Sequence, residues 1–125
     1  MTKKILIVDD ESLNRDATAS TIKRVGYQVE QATSGLDALK KFIADHYDVI
    51  LMDQDMPLMD GYQCTKKIRE YENGSSRRSV IIGIISTAEK DTQTKCLEAG
   101  MDACFDKTGS MQDLQRTVRH WALIA

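Results

Sequence analysis

Short, solidly apolar runs alternate along the chain with stretches whose apolar residues recur every three or four positions. Lys4 to Val8, KILIV, reads as a buried strand. Ser12 to Val25 reads as a helix with Leu13, Ala17 and Val25 turned inward, and Gly26 stands where it would stop. Tyr27 to Gln31 alternates as a strand does. Ser34 can cap the next helix, with Asp37 as a short capping-box partner and Leu36, Leu39 and Ile43 on one face. Asp48 to Met52, DVILM, is a second solidly apolar strand. Asp60 caps a helix that carries Cys64, Ile68 and Tyr71 at helical spacing. Residues 73–79, NGSSRRS, have the composition of a loop. Val80 to Ile85 is a third apolar strand, followed by a helix that runs to about Ala99 and stops at Gly100. Ala103 to Phe105 is a short strand, and the last helix turns Met111, Leu114, Val118 and Trp121 inward.

This is five β-α units in succession. Apolar strands without alternation predict a parallel sheet covered by helices on both faces, an α/β doubly wound architecture. Such sheets bind ligands at the carboxyl ends of their strands, where the strand order reverses.

Composition narrows the function classes. A chain of 125 residues fits one domain with a single core. The net charge of -2 argues against a nucleic-acid or anionic-membrane surface, and basic pairs such as Lys40-Lys41 and Lys66-Lys67 are scattered. The three cysteines, Cys64, Cys96 and Cys104, match no zinc or redox spacing and read as free thiols in a reducing cytoplasm. Acidic residues arrive straight after the first apolar run, so no signal peptide is expected. No apolar run approaches membrane-spanning length.

The chemistry gathers just after the strands. Asp9 and Asp10 follow the first, Asp53 ends the third, Ser86 and Thr87 follow the fourth, and Lys107 follows the fifth. In a doubly wound sheet of order 2-1-3-4-5 the first and third strands are neighbours, which brings the three aspartates to one edge. Three carboxylates repel one another unless a cation neutralises them, and oxygen-only ligands suit magnesium. A carboxylate beside such an ion can be a nucleophile that forms an aspartyl phosphate, with Lys107 placed to neutralise the phosphoryl oxygens. Taken singly, each aspartate also reads as a helix cap or turn former.

The motifs ILIVDDE at 5–11, DVILMDQDMPLMDG at 48–61 and LEAGMDACFDK at 97–107 resemble the receiver domain of two-component response regulators. The resemblance covers essentially the whole chain and implies a five-stranded flavodoxin-like (βα)5 fold of order 2-1-3-4-5, with residues 1–125 forming one receiver domain and no output domain. It implies Asp53 as phosphoacceptor. Asp10 would bind Mg2+ directly and Asp9 through water, with Asp53 and the main-chain carbonyl of Asp55 as further ligands. Lys107 would pair with the phosphoryl group, and Pro57 and Gly61 would shape the loop after the third strand. The phosphodonor would be a sensor histidine kinase, a histidine phosphotransfer domain or a small phosphodonor. The chain would be a cytoplasmic phosphoprotein that is no enzyme beyond its own phosphorylation and dephosphorylation. It would signal to an output domain or protein target through the face of the fourth helix, fifth strand and fifth helix.

Three positions depart from the family pattern. Counting back from Lys107, or from Glu98-Ala99-Gly100, puts Ile85 in the slot that usually holds a switch Thr or Ser. A one-residue bulge would bring in Ser86 and a two-residue shift Thr87. Cys104 stands where the family has Tyr or Phe, while Phe105 points to the other face. Thr108 replaces the usual Pro, and a cis bond there would cost roughly 3 kcal/mol. A trans bond with a rearranged loop, or a strained one, is therefore expected. The side chain of Asp55 is expected to face solvent. The departures keep a second reading in view, a receiver-fold binding module that signals without phosphate. A magnesium-dependent phosphatase lacks room for a substrate-capping insertion.

Overall fold

The computed structural model describes residues 2–73, 78–87 and 89–125, so the expected 73–79 loop falls largely outside the described residues. The elements run β1 (Lys4–Val8), α1 (Ser12–Lys23), β2 (Gln28–Ala32), α2 (Gly35–Ala44), β3 (Val49–Asp53), α3 (Gly61–Glu72), β4 (Val80–Ile85), α4 (Lys90–Ala99), β5 (Ala103–Asp106) and α5 (Met111–Ile124). The strands form one sheet in the order β2-β1-β3-β4-β5, and every pair is parallel. Among the described residues no helix is long and apolar enough to cross a membrane.

Two apolar layers hold the sheet. On one face Leu6, Ile50, Ile81 and Ile85 pack with Phe42 of α2, Ile68 of α3 and Cys96 of α4. On the other, Ile5, Leu51 and Ile82 pack with Ile22 of α1 and with Leu114 and Val118 of α5. Burial on both faces explains why β1, β3 and β4 carry apolar residues without alternation.

The helices exist where expected, but several faces are corrected. Leu13 is 78% exposed and Ala17 is exposed, while Ala19 and Ile22 meet the sheet. At 100° per residue Leu13 lies opposite Ile22, so both cannot face inward. In α2, Ala38 and Phe42 are buried, whereas Leu36 and Ile43 point outward. Tyr71 is exposed, though its ring edge meets Phe42 with centroids 5.9 Å apart. Met111 is half-exposed, while Leu114 and Val118 are buried. Ser34 caps α2 by accepting the Asp37 N–H at 3.0 Å, but Asp37 accepts from Thr33 N–H instead of closing a box. The full capping box stands at α3, between Asp60 and Gln63. Gly100 ends α4 at φ 105°, in the left-handed region that glycine favours.

A largely buried ion network ties the far end of α3 to β4 and β5. The guanidinium of Arg69 donates to the carbonyls of Gly100 and Ser79 and to the carboxylates of Glu72 and Asp102. Glu72 accepts the Ser79 N–H and Asp102 the Ile81 N–H, so the carboxylates in turn hold the start of β4.

Candidate functional site

Strand order decides the site. β1 and β3 pair from Ile5↔Val49 to Val8↔Met52, which sets Asp9 and Asp53 side by side at the carboxyl edge. Carboxylate oxygens of Asp9, Asp10 and Asp53 lie within 4.8 Å of one another. Asp53 is buried, Asp9 half-buried and Asp10 exposed, so the cluster opens to solvent on the Asp10 side. The turn after β1 is locked locally. Asp9 accepts the Glu11 N–H at 2.9 Å, and Arg15 donates to the Asp9 carbonyl at 3.0 Å and to Gln31 at 2.9 Å. Arg15 escaped the sequence reading, because one basic residue on an exposed helix carries no distinguishing signal.

Lys107 enters from the loop after β5, its N–H bonded to the Ile85 carbonyl at 2.8 Å. Its Nζ lies 2.8 Å from Asp53 Oδ1. Burial works against the ammonium, but the hydrogen bond and charge of Asp53, joined by the charges of Asp55 and Asp9, raise its pKa. Burial also raises the Asp53 carboxyl, opposed by Lys107 and reinforced by Asp9. The pair sits over a cleft of about 140 Å³ between α1 and α5, floored by Leu51, Ile84, Phe105 and Leu114.

The loop between β3 and α3 starts and ends on Asp53. The Asp55 N–H donates to Asp53 Oδ1 at 3.2 Å, and the Asp55 side chain is exposed, as expected. A Cβ at Gly61 would stand 2.5 Å from the Asp53 carbonyl oxygen, so this close approach requires glycine. Pro57 is exposed on the same loop.

Of the three candidates for the switch slot, Ile85 is the one that the strand turns into the core. β4 keeps an unbroken register to its end, with Asp53↔Ile84 on one side and Ile85↔Asp106 on the other. Ile85 is 1% exposed and packs in the layer beneath α3 and α4, whereas Ser86 is exposed and Thr87 half-buried. The Thr87 hydroxyl accepts the Glu89 N–H at 3.3 Å, and Ala88 lies outside the described residues. A slip that offered Ser86 would turn Ile85 out of the core. Ile85→Thr trims this core and buries a hydroxyl, and is expected to cost about 2–3 kcal/mol by urea denaturation. A cost under about 0.5 kcal/mol would mean that the slot opens to solvent or to a polar partner.

Cys104 is half-buried and contacts Cys96, whose thiol also meets the Tyr62 hydroxyl. Burial and the neighbouring thiol push Cys96 up to about 11, and the cysteines are free. The Cys96 thiol is therefore an inert packing group at neutral pH. Phe105 points to the opposite face, as expected. The Lys107–Thr108 peptide is trans. Asp106 rebuilds the turn, accepting both the N–H and the hydroxyl of Thr108 at 2.8 Å while Gly109 N–H bonds its carbonyl.

The geometry therefore joins Asp9, Asp10, Asp53 and Lys107 in one place, and leaves Ser86 and Cys104 outside it. An oxygen-only carboxylate set fits a hard divalent cation, and a buried carboxylate paired with an ammonium fits transfer of a dianionic group.

The Escherichia coli sensor histidine kinase RcsC is 36% identical over 118 residues, covering 94% of this chain and 12% of RcsC. The chain thus spans about an eighth of the length of that relative. The receiver domain of the sensor histidine kinase PA1611 from Pseudomonas aeruginosa, solved with a magnesium ion in its active site cleft, is 34% identical with TM-score 0.85, covering 98% of each chain. The co-crystal structure of the Saccharomyces cerevisiae histidine phosphotransfer signaling protein Ypd1 with the receiver domain of Ssk1 matches in fold. The identity there is 21% and the TM-score 0.90, over 98% of this chain and 90% of that one. The family model of the response regulator receiver domain matches residues 5–119, and the chain belongs to that family.

Proposed function

We propose that this receiver domain accepts a phosphoryl group on Asp53, in a Mg2+-dependent step of a phosphorelay. The observation that carries the reading is the buried Asp53 carboxylate, 2.8 Å from the partly exposed Lys107 ammonium and beside the carboxylates of Asp9 and Asp10. The donor is a phosphohistidine on a histidine kinase or histidine phosphotransfer domain, or a small acyl phosphate. The curated relative is a histidine kinase, and one structural neighbour was solved with a histidine phosphotransfer protein.

An Asp53 oxygen attacks phosphorus, and the bond from phosphorus to the imidazole nitrogen or acyl oxygen breaks. Lys107 then exchanges its contact with Asp53 for one with a phosphoryl oxygen, so that its charge follows the negative charge. Asp9, Asp10, Asp53 and the Asp55 carbonyl would hold Mg2+, which neutralises the carboxylates and the incoming phosphoryl oxygens. The three carboxylates suit that ion, because none of the ligands is nitrogen or sulfur.

Transmission differs from the family pattern. Ile85 offers no hydroxyl to a phosphoryl group, and Cys104 has no ring to reposition. We therefore expect weakened coupling from phosphorylated Asp53 to a protein target on the α4-β5-α5 face. The assembled charge set favours phosphorylation over the phosphate-independent reading. Acetyl phosphate with Mg2+ is expected to add one phosphoryl-sized mass to the intact chain, and none in excess EDTA. No added mass with Mg2+ present would overturn the reading.

A further inference from the structure

The β3–α3 loop holds one residue that costs the fold something and gains nothing inside it. Leu58 has φ 68°, the one non-glycine residue in the left-handed region among those described. The Met59 N–H bonds the Pro57 carbonyl at 2.7 Å, closing a three-residue turn around Leu58. Turns of this kind with positive φ are rare and strained, and a branched side chain makes them worse. The side chain is also 105% exposed, so it recovers no burial.

The surroundings force this conformation. Met56 is buried on one side, and Met59 packs against Gly35 of α2, where a Cβ would stand 2.9 Å from Met59 Cγ. Pro57 fixes its own φ just before the turn. Asp60 then caps α3. Strain persists where the neighbours over-determine it, and it gathers at sites that bind. Both ends of this loop rest on Asp53, through Asp55 N–H and through Gly61. The loop that presents Leu58 is therefore anchored at both ends on the phosphoacceptor residue.

We infer that Leu58 is a recognition residue for the macromolecular phosphodonor, inserting into an apolar pocket beside the phosphohistidine. The inference rests on the proposed phosphoacceptor role of Asp53. Asp53 is 3% exposed, so a protein-borne imidazole has to enter the cleft and cover its rim. That rim also exposes Asp10, Glu11 and Asp55, so basic groups are expected to flank the partner's pocket. Burying one leucine accounts for roughly a 10- to 100-fold change in productive docking.

The test compares two donors on one set of variants. The donors are phosphorylated Ypd1 and acetyl phosphate, both with Mg2+. Leu58→Gly and Leu58→Asn relieve the left-handed strain and are expected to melt no lower than the wild type. Acetyl phosphate should label both within about twofold of wild type, while transfer from Ypd1 falls roughly 10- to 100-fold. Leu58→Met keeps an apolar finger and should retain transfer. Equal losses with both donors would make Leu58 a support of the loop, and unchanged transfer would make it idle; either overturns the inference. Wild-type labelling by acetyl phosphate without transfer from Ypd1 would overturn the donor class. Labelling by neither donor would overturn the phosphoacceptor reading itself.

Discussion

Asp53→Asn is expected to abolish phosphoryl labelling by acetyl phosphate altogether, whereas Asp9→Asn and Asp10→Asn retain a slower, higher-Mg2+ reaction. Three carboxylates share the site, but only Asp53 is both buried and in contact with Lys107. An amide keeps the shape of the side chain and loses the nucleophilic oxygen. Labelling of the Asn variant at the wild-type rate would move the phosphoacceptor elsewhere. A second readout separates this chemistry from folding. Burial raises the Asp53 pKa from its ordinary 3.8, against the pull of Lys107. A raised folded value favours folding below the unfolded value, and that contribution is lost as pH rises through the folded one. In EDTA, the wild type should therefore lose stability relative to Asp53→Asn as pH climbs from below 3.8 through the raised value. Lys107 loses its partner in the variant, but it stays charged throughout that window and only offsets the curves. Melting temperatures that run parallel across this range would show that Asp53 ionises as an exposed carboxyl does.

The fold and the charge set were legible because both rest on local, strong signals. Apolar runs such as Ile5 to Val8 and Val80 to Ile85 have one stable use, a strand buried on both faces. Asp53 ends such a run and Lys107 directly follows the shorter, half-buried β5, so locating each strand locates the residue. The order 2-1-3-4-5 came from resemblance, because nothing local says which strands are neighbours. Helix faces were less legible. In α1 the mean hydropathy is low, and small residues such as Ala19 do the packing, so the larger Leu13 misleads as to which side is buried. Leu58 was invisible for another reason. Its strain depends on how Met56, Gly35 and Asp60 pin the loop in space, and no window of sequence contains that.

Ile85 shows what a count can and cannot decide. Spacing alone put it in the switch slot but left a bulge open, since Ser86 and Thr87 both carried the right chemistry. The register removes that freedom, because Ile84 pairs with Asp53 and Ile85 with Asp106 in consecutive steps. A bulge would break the ladder on both sides of β4, next to the bond from Lys107 N–H to the Ile85 carbonyl that positions Lys107.

The largest loss of stability from one side chain is expected at Arg69, far from the phosphoacceptor. Its side chain is 16% exposed, and those of its partners Glu72 and Asp102 are 8% and 14% exposed. Arg69→Ala leaves the Glu72 carboxylate without a cation among the described residues, and the Gly100 and Ser79 carbonyls without the guanidinium donor. Asp102 keeps Arg78, whose side chain is 56% exposed and offers a weaker, wetter substitute. Breaking such a buried pair costs about 3–5 kcal/mol, roughly 10–20 °C in Tm for a chain of this size. Arg69→Lys should recover little, because one ammonium cannot span four acceptors that a planar fork meets at once. The exposed pair Arg116–Asp113 sets the contrast, since Arg116→Ala should stay within about 0.5 kcal/mol. The network fixes the amino end of β4 and the turn into β5, while Ile85 and Lys107 lie at the carboxyl ends of those strands. Folded Arg69→Ala at low temperature should accordingly still label at Asp53. A loss below about 1 kcal/mol by urea denaturation would mean that water reaches Glu72 and replaces the guanidinium.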